Sequence, residues 1–349
     1  MRSVALWLTL ALVAAAGCTP SVPRERLTLA VLAGVYFSAV PGVGVDAAMV
    51  EEAEPLLKKA IADLNATKDL GFVVVAGDLL ARADPLSLDR AKALLNELRV
   101  PYYVVLGEHD GPGLAGESAR PGAAPEAPAP AGDPGTGGGS RSTVVWAFQG
   151  HGLSGADAYW SREVLPGLIL VGLDTVQPGA RGGHVDAQQL AWLDRTLTSC
   201  GDKTVIVVSH HGLVPLHPLD EGAAWRHIMV DNADAVRGVL DRHPNVLMAL
   251  SGQHHLAAGR IAGRIVYLAS PSVSVWPLAY QLVRVTPKEA EAVWVPVAGD
   301  DVSRRGLERL LGSVAYRGVF PSGEDGDTAC VRLFGGSKME VYPLPAIRP

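Results

Sequence analysis

Between Gly71 and Leu80 the chain reads G-F-V-V-V-A-G-D-L-L, an apolar run that stops at Gly77-Asp78. The four residues from Phe72 to Val75 are bulky, and three of them are β-branched, which is the composition of a strand buried on both faces. A strand covered on both sides belongs to a sheet flanked by other layers, so the chain is restricted to α/β architectures. Asp78 falls at the carboxyl end of that strand, where open α/β sheets gather their ligands. Gly-Asp is also ordinary turn chemistry. Asp78 therefore takes its meaning from what ends the other strands.

The same grammar recurs along the chain. Leu27–Leu32 reads as a first strand, followed by the loop A-G-V-Y-F-S-A-V-P-G-V-G. Leu57, Ile61 and Leu64 recur at helical spacing behind Asp46, which is expected to cap that helix. A second helix carries Leu88, Ala91, Leu95 and Leu98, and the strand Tyr102–Leu106 ends in Gly107-Glu108-His109-Asp110. This β-α-β-α-β order implies parallel strands.

From 111 to 142 the composition falls to Gly, Pro, Ala and Ser, too little apolar surface to offset chain entropy, and a disordered insert is expected. Strand–helix alternation then resumes with Leu168–Leu173, a helix opening at Asp186-x-x-Gln189, and Val205–Val208 running into Ser209-His210-His211. The insert is thus read as interrupting one domain whose sheet continues. A helix near Asp231–Leu240 follows, then Val246–Leu250 into Ser251-Gly252-Gln253-His254-His255, with strands expected at Ile265–Leu268, Gln281–Val285 and Ala292–Val297. Residues 300–349 read as a C-terminal extension packed on the 27–299 domain, with a short helix around Leu307–Leu311 and strands at Val314–Phe320 and Thr328–Phe334.

Arg2 precedes an apolar run from Val4 to Ala16 that is too short to span a bilayer and fits the h-region of a secretory signal. It ends in Ala15-Ala16-Gly17-Cys18, which resembles the lipobox of bacterial lipoproteins. That resemblance implies cleavage of 1–17, lipid on Cys18, a tether over 18–26 and residence in the cell envelope as a lipid-anchored, extracytoplasmic protein. A plain signal peptide with an incidental cysteine is the alternative. Cys200 and Cys330 are the remaining cysteines, either bridged or both free. With 30 Lys+Arg against 36 Asp+Glu, a net charge of −6, the chain lacks the basic footprint of a nucleic-acid binder.

Asp78, Glu108-His109-Asp110, His210-His211 and His254-His255 all follow apolar strands, and carboxylates with imidazoles at one sheet edge suit a borderline divalent cation. In the order and spacing of these clusters the chain from about Leu27 to Thr286 resembles the calcineurin-like metallophosphoesterases, in the branch containing bacterial class III cyclic nucleotide phosphodiesterases. The flanks L-V-G-L-D-T-V-Q-P-G-A-R-G-G-H-V-D-A-Q-Q-L-A-W-L and A-S-P-S-V-S-V-W-P add to the likeness. The resemblance implies a four-layer α-β-β-α sandwich with two cations above the sheet edge, held by D-x-H, G-D, G-N-H-D/E, H-H or H-x-P, and G-H-x-H motifs.

This chain departs from that pattern. At the D-x-H position it has Gly34 and Tyr36, neither a replacement for the missing ligand. Asp78 matches the bridging carboxylate, Glu108 takes the amide-ligand position, His109 matches the general acid with Asp110 as its orienting partner, and His210 matches a metal-binding histidine. Gln253 replaces the first histidine of G-H-x-H and His255 matches the second. The first site would keep Asp78 and His255 alone, and two protein ligands rarely hold a divalent ion. The second would keep Asp78, Glu108, His210 and the Gln253 amide, enough for one Mn²⁺, Fe²⁺ or Zn²⁺. One cation is possible and a second is not expected. Glu108 in a salt bridge is the bland alternative, and His254 is expected to be a bystander. The functional expectation is a phosphoester hydrolase acting on a small phosphoester ligand; the alternative is a non-catalytic module for a ligand or envelope partner.

Overall fold

A computed structural model of the chain describes residues 26–111, 140–155, 157–314, 316 and 339–344. The expectations for Cys18, Cys330, the strand at Thr328–Phe334 and most of the insert lie outside those residues.

The first half contributes β1 (Leu27–Leu32), α1 (Ala53–Ala66), β2 (Leu70–Ala76), α2 (Pro85–Leu95) and β3 (Tyr102–Val105). The second contributes α3 (Arg141–Ala147), β4 (Trp160–Leu165), β5 (Leu168–Gly172), α4 (Ala187–Ser199), β6 (Thr204–Ser209), α5 (Ala233–Asp241), β7 (Val246–His255), β8 (Ala258–Ala262) and β9 (Ile265–Pro271). The chain then returns through β10 (Ala279–Val285), β11 (Glu289–Pro296), α6 (Asp300–Gly312) and β12 (Met339–Pro343). Among the described residues there are two six-stranded sheets, ordered β12-β11-β10-β1-β2-β3 and β4-β5-β6-β7-β9-β8. Within them β1-β2-β3 and β5-β6-β7-β9 are parallel, and antiparallel strands flank each set. This is the α/β metallophosphoesterase-like sandwich, two mixed sheets with flanking helices.

Strand alternation builds the layers. Leu168, Leu170, Ile206 and Val208 face a core shared with Leu29, Val73 and Val75 of the other sheet. Their neighbours Ile169, Val171, Val205 and Val207 turn outward to Leu193 and Leu197 of α4 and Val236, Val239 and Leu240 of α5. Because crossover connections run all the parallel strands the same way, the carboxyl ends of both sets emerge on one edge.

Several expectations are corrected. The sheet does not continue past the insert: after it the chain starts the second sheet with β4, whose Ser161, Arg162 and Glu163 are solvent-exposed and carry no apolar alternation. The insert ends earlier than 142, because Ser140 caps α3 by accepting from the Thr143 amide and α3 buries Val144 and Val145. The helix does not open at Asp46: a short 3-10 turn at Val50–Glu52 leads into α1, whose N-cap position is Glu52. The Gln253-His254-His255 cluster is part of β7, since the ladder to β9 carries on through a register shift until His255 pairs with Pro271. In the region 314–320 the described residues, Val314 and Tyr316, occupy a turn. The helix at Asp186 matches its expectation, its carboxylate accepting from the Gln189 amide.

Candidate metal centre

Asp78, Tyr36 and His255 all take positive φ, 53°, 48° and 55°, a region that side chains rarely occupy and that clusters at functional sites. Backbone bonds hold two of them: the Tyr36 amide donates to Asp78 O at 3.0 Å and the Phe37 amide to Leu79 O at 2.8 Å, lacing the loops after β1 and β2 together. Gly77, at φ 87°, lets the His210 ring lie against the backbone; a Cβ there would stand 2.2 Å from His210 Nδ1.

At the centre, Asp78 Oδ1 accepts from the His109 amide at 3.0 Å, and Asp78 Oδ2 accepts from the Tyr36 hydroxyl at 2.8 Å. Tyr36 Oη also lies 3.3 Å from His255 Nε2. On the other side His210 Nδ1 donates to Ala76 O at 2.8 Å, while Nε2 donates to Glu108 Oε2 at 2.9 Å and stands 3.5 Å from Asp78 Oδ2. Gln253 Nε2 donates to Glu108 Oε1 at 2.5 Å, and Gln253 Oε1 is buried without a hydrogen-bond partner.

Charge follows from these contacts. Burial disfavours a charged His210, but the carboxylates of Asp78 and Glu108 outweigh it and hold its pKa well above that of free imidazole. Burial likewise opposes ionisation of Asp78, and His210 and His109 overcome it, so Asp78 stays ionised. Glu108 is held below its usual value although burial and Asp78 push the other way, because His210 pairs with it. Burial lowers His255 to about 4, leaving it neutral, and burial with Asp78 raises Tyr36 well above the usual phenol value.

The centre thus gathers Asp78, Glu108, His109, His210, Gln253 and His255 at one place, together with Gly34 and Tyr36. Asp110 differs from its expected role. Its two oxygens accept from the Leu80 and Gly107 amides, both at 2.9 Å, while His109 Nδ1 donates to Ala81 O at 3.1 Å. Asp110 therefore folds the loop that presents His109, and a carbonyl sets the imidazole's tautomer. Burial and the Asp78 charge raise Asp110 to about 6. The expected bystander His254 donates to Asp220 Oδ2 at 3.0 Å in a fully buried pair. His151 stacks on Tyr102 at 3.9 Å at the opposite end of β3, away from the centre. Asp174 ties its loop by accepting from the Val176 amide and pairing with Arg141.

Three features were not read from the sequence. One is the phenol seated between Asp78 and His255. Another is the role of His211, singled out only as a strand-end histidine, which donates to Arg181 O, accepts from Thr175 Oγ1 and lies 3.8 Å from Glu108. The third is Asp220, 34 residues from its partner. Strand-end signals mark where a side chain starts, not which distant loop meets it.

The residues can be tested against a divalent cation. Ligand atoms of Asp78, Glu108 and His109 lie within 4.8 Å of one another, and His210 Nε2 reaches both carboxylates. Two carboxylates, an imidazole whose Nδ1 is fixed by a carbonyl, and the unpartnered Gln253 Oε1 suit one borderline divalent ion. Around Gly34 and Tyr36 the polar atoms present are Asp78 Oδ2, the Tyr36 hydroxyl and His255 Nε2, with the hydroxyl 2.8 Å from the first and 3.3 Å from the last.

No protein-family model matches the chain. The 3',5'-cyclic adenosine monophosphate phosphodiesterase of Pseudomonas aeruginosa is 34% identical over 104 residues, 30% of this chain and 36% of that protein. A manganese-dependent ADP-ribose/CDP-alcohol diphosphatase of Xenopus tropicalis is 36% identical over 123 residues, 35% of this chain and 32% of that protein. The matched regions thus span about a third of the length of these relatives. A dimetal phosphatase from Danio rerio has the same fold, with a TM-score of 0.56 at 17% identity over 78% of this chain and 96% of that one. These likenesses indicate the calcineurin-like metallophosphoesterase superfamily.

Proposed function

We propose that this chain is a phosphoester hydrolase working with a single divalent cation held by Asp78, Glu108 and His210, with the Gln253 amide as a fourth donor. The observation that carries the reading is the approach of His210 Nε2 to both carboxylates, 2.9 Å from Glu108 and 3.5 Å from Asp78, with its Nδ1 already committed to Ala76 O. A bound ion of the Mn²⁺, Fe²⁺ or Zn²⁺ class would polarise a phosphoryl oxygen and acidify water. For the ion to enter, His210 must give up the proton on Nε2. His109, oriented through its Nδ1 by Ala81 O, is the group placed to deliver a proton from Nε2 to a leaving oxygen. A small phosphoester is the ligand class.

One observation favours a second, non-catalytic reading as a binding module for a ligand or envelope partner. All four carboxylate oxygens of Asp78 and Glu108 already accept hydrogen bonds, from Tyr36, His109, Gln253 and His210. Purified full-length chain given Mn²⁺ and an aryl phosphodiester separates the two: turnover that His109→Ala abolishes supports the hydrolase, and no metal with no turnover supports the module.

The lipobox-like Ala16-Gly17-Cys18 supports placing the protein in the bacterial cell envelope, periplasmic or extracytoplasmic, anchored by lipid on Cys18. Among the described residues no helix is long and apolar enough to cross a membrane. Labelled palmitate retained by the wild type and lost in Cys18→Ala is the expected result.

A further inference from the structure

The first cation position, the one that the D-x-H residues would serve, is occupied by the protein itself. We infer that the Tyr36 hydroxyl stands in for that cation, tying Asp78 to His255 with a fixed proton donor and limiting the centre to one metal ion. The inference deepens the one-cation reading by naming the group that sets the limit.

Three observations carry it. Tyr36 Oη lies 2.8 Å from Asp78 Oδ2 and 3.3 Å from His255 Nε2, the two ligands that the first position retains. A hydroxyl at hydrogen-bond distance from both leaves no room for an ion at ligand distances of about 2.0–2.2 Å. The ring is held on several sides: it meets the His109 and His255 rings edge-on at 5.0 and 5.7 Å and packs in an apolar cluster with Val275, Leu310 and Tyr316. Swinging it out would expose buried aromatic surface.

Gly34 closes the second route. A Cβ at residue 34 would stand 2.6 Å from Ser272 Oγ and 2.7 Å from His255 Nε2, at a φ of 51° that side chains rarely adopt. The Ser272 and Ser274 hydroxyls both donate to Gly34 O, at 2.6 and 3.0 Å, fixing that backbone in place. A carboxylate at residue 34 therefore does not fit the loop as built, and the loop is shaped around the phenol.

The test is metal stoichiometry. Full-length wild type, Tyr36→Phe, Tyr36→His and Tyr36→Asp are saturated with Mn²⁺, desalted and measured by elemental analysis, with fold checked by circular dichroism. Tyr36→His puts a shorter ligand beside Asp78 and His255 and should add one equivalent of Mn²⁺ over the wild type. Tyr36→Asp serves the same purpose if the imidazole variant does not fold. Tyr36→Phe keeps the ring and should add none. A folded histidine or aspartate variant with no added equivalent overturns the inference, as does a wild type that binds two. The wild-type value tests the one-cation reading separately: zero in the wild type and one in Tyr36→His would sink that reading and keep this inference.

Discussion

The two halves of the centre share Asp78 and differ in everything else. On the β1 side Asp78 accepts from a phenol, which in turn meets a neutral imidazole, and apolar side chains back them. On the β6–β7 side Asp78 faces an imidazolium, which pairs with a second carboxylate that accepts from an amide whose oxygen is unpartnered. The first half is closed by a group that gives up its proton only far above neutral pH; the second is closed by a proton on His210, which a divalent ion can replace. On the proposed reading the fold keeps one metal position and fills another, and the difference lies in whether the occupying donor is exchangeable.

The largest effect that would break this comparison concerns chemistry in the second half. His109→Ala should lower kcat on an aryl phosphodiester by about 10²- to 10⁴-fold with Mn²⁺ content unchanged, measured by initial rates and elemental analysis. Equal rates in the two proteins would remove proton transfer from His109. Next is the pairing itself. Glu108→Ala leaves His210 with Asp78 as its single carboxylate partner, so bound metal should fall to none and urea denaturation should show a loss of about 3 kcal/mol. Retained metal would mean that Glu108 is not a ligand.

The first half should respond differently. Tyr36→Phe removes a hydrogen bond to a charged acceptor, and urea melts should show a loss of about 1.5 kcal/mol. A change in metal content with this variant would show that the halves are not separate.

The smallest effect lies behind the second half, at the His254–Asp220 pair. Burial disfavours the Asp220 charge, but His254 and the Leu216 and His217 amides outweigh it and hold its pKa below the usual 3.8. A depressed carboxylate contributes stability that is present above its unfolded pKa and lost as pH falls through the folded value. The wild type should therefore lose about 1 kcal/mol more than Asp220→Asn on acidification below pH of about 4, read from urea melts across that range.

Much of this was legible in the chain. Val73–Val75 and Val205–Val208 announce central parallel strands because both faces are buried and polar residues are excluded from them. Asp78, Glu108 and His210 were legible as a group because parallel strands deliver their carboxyl ends to one edge. Edge strands were not. Exposed β4 (Trp160–Leu165) and β8 (Ala258–Ala262) need no alternating apolar face, and β7 continues through polar residues because its ladder to β9 does. The Tyr36–Asp78 link joins residues 42 apart through a loop in left-handed backbone, a conformation that no periodicity announces. Asp110 was assigned to orient His109 by analogy of motif, whereas its oxygens are spent on backbone amides that only the folded loop brings within reach.

Anomalous diffraction at the manganese edge from crystals of the wild-type chain soaked in Mn²⁺ tests the asymmetry most directly. The account predicts one peak among Asp78, Glu108 and His210, with Tyr36 still bonded to Asp78. A second peak between Asp78 and His255, with the phenol displaced, would contradict it.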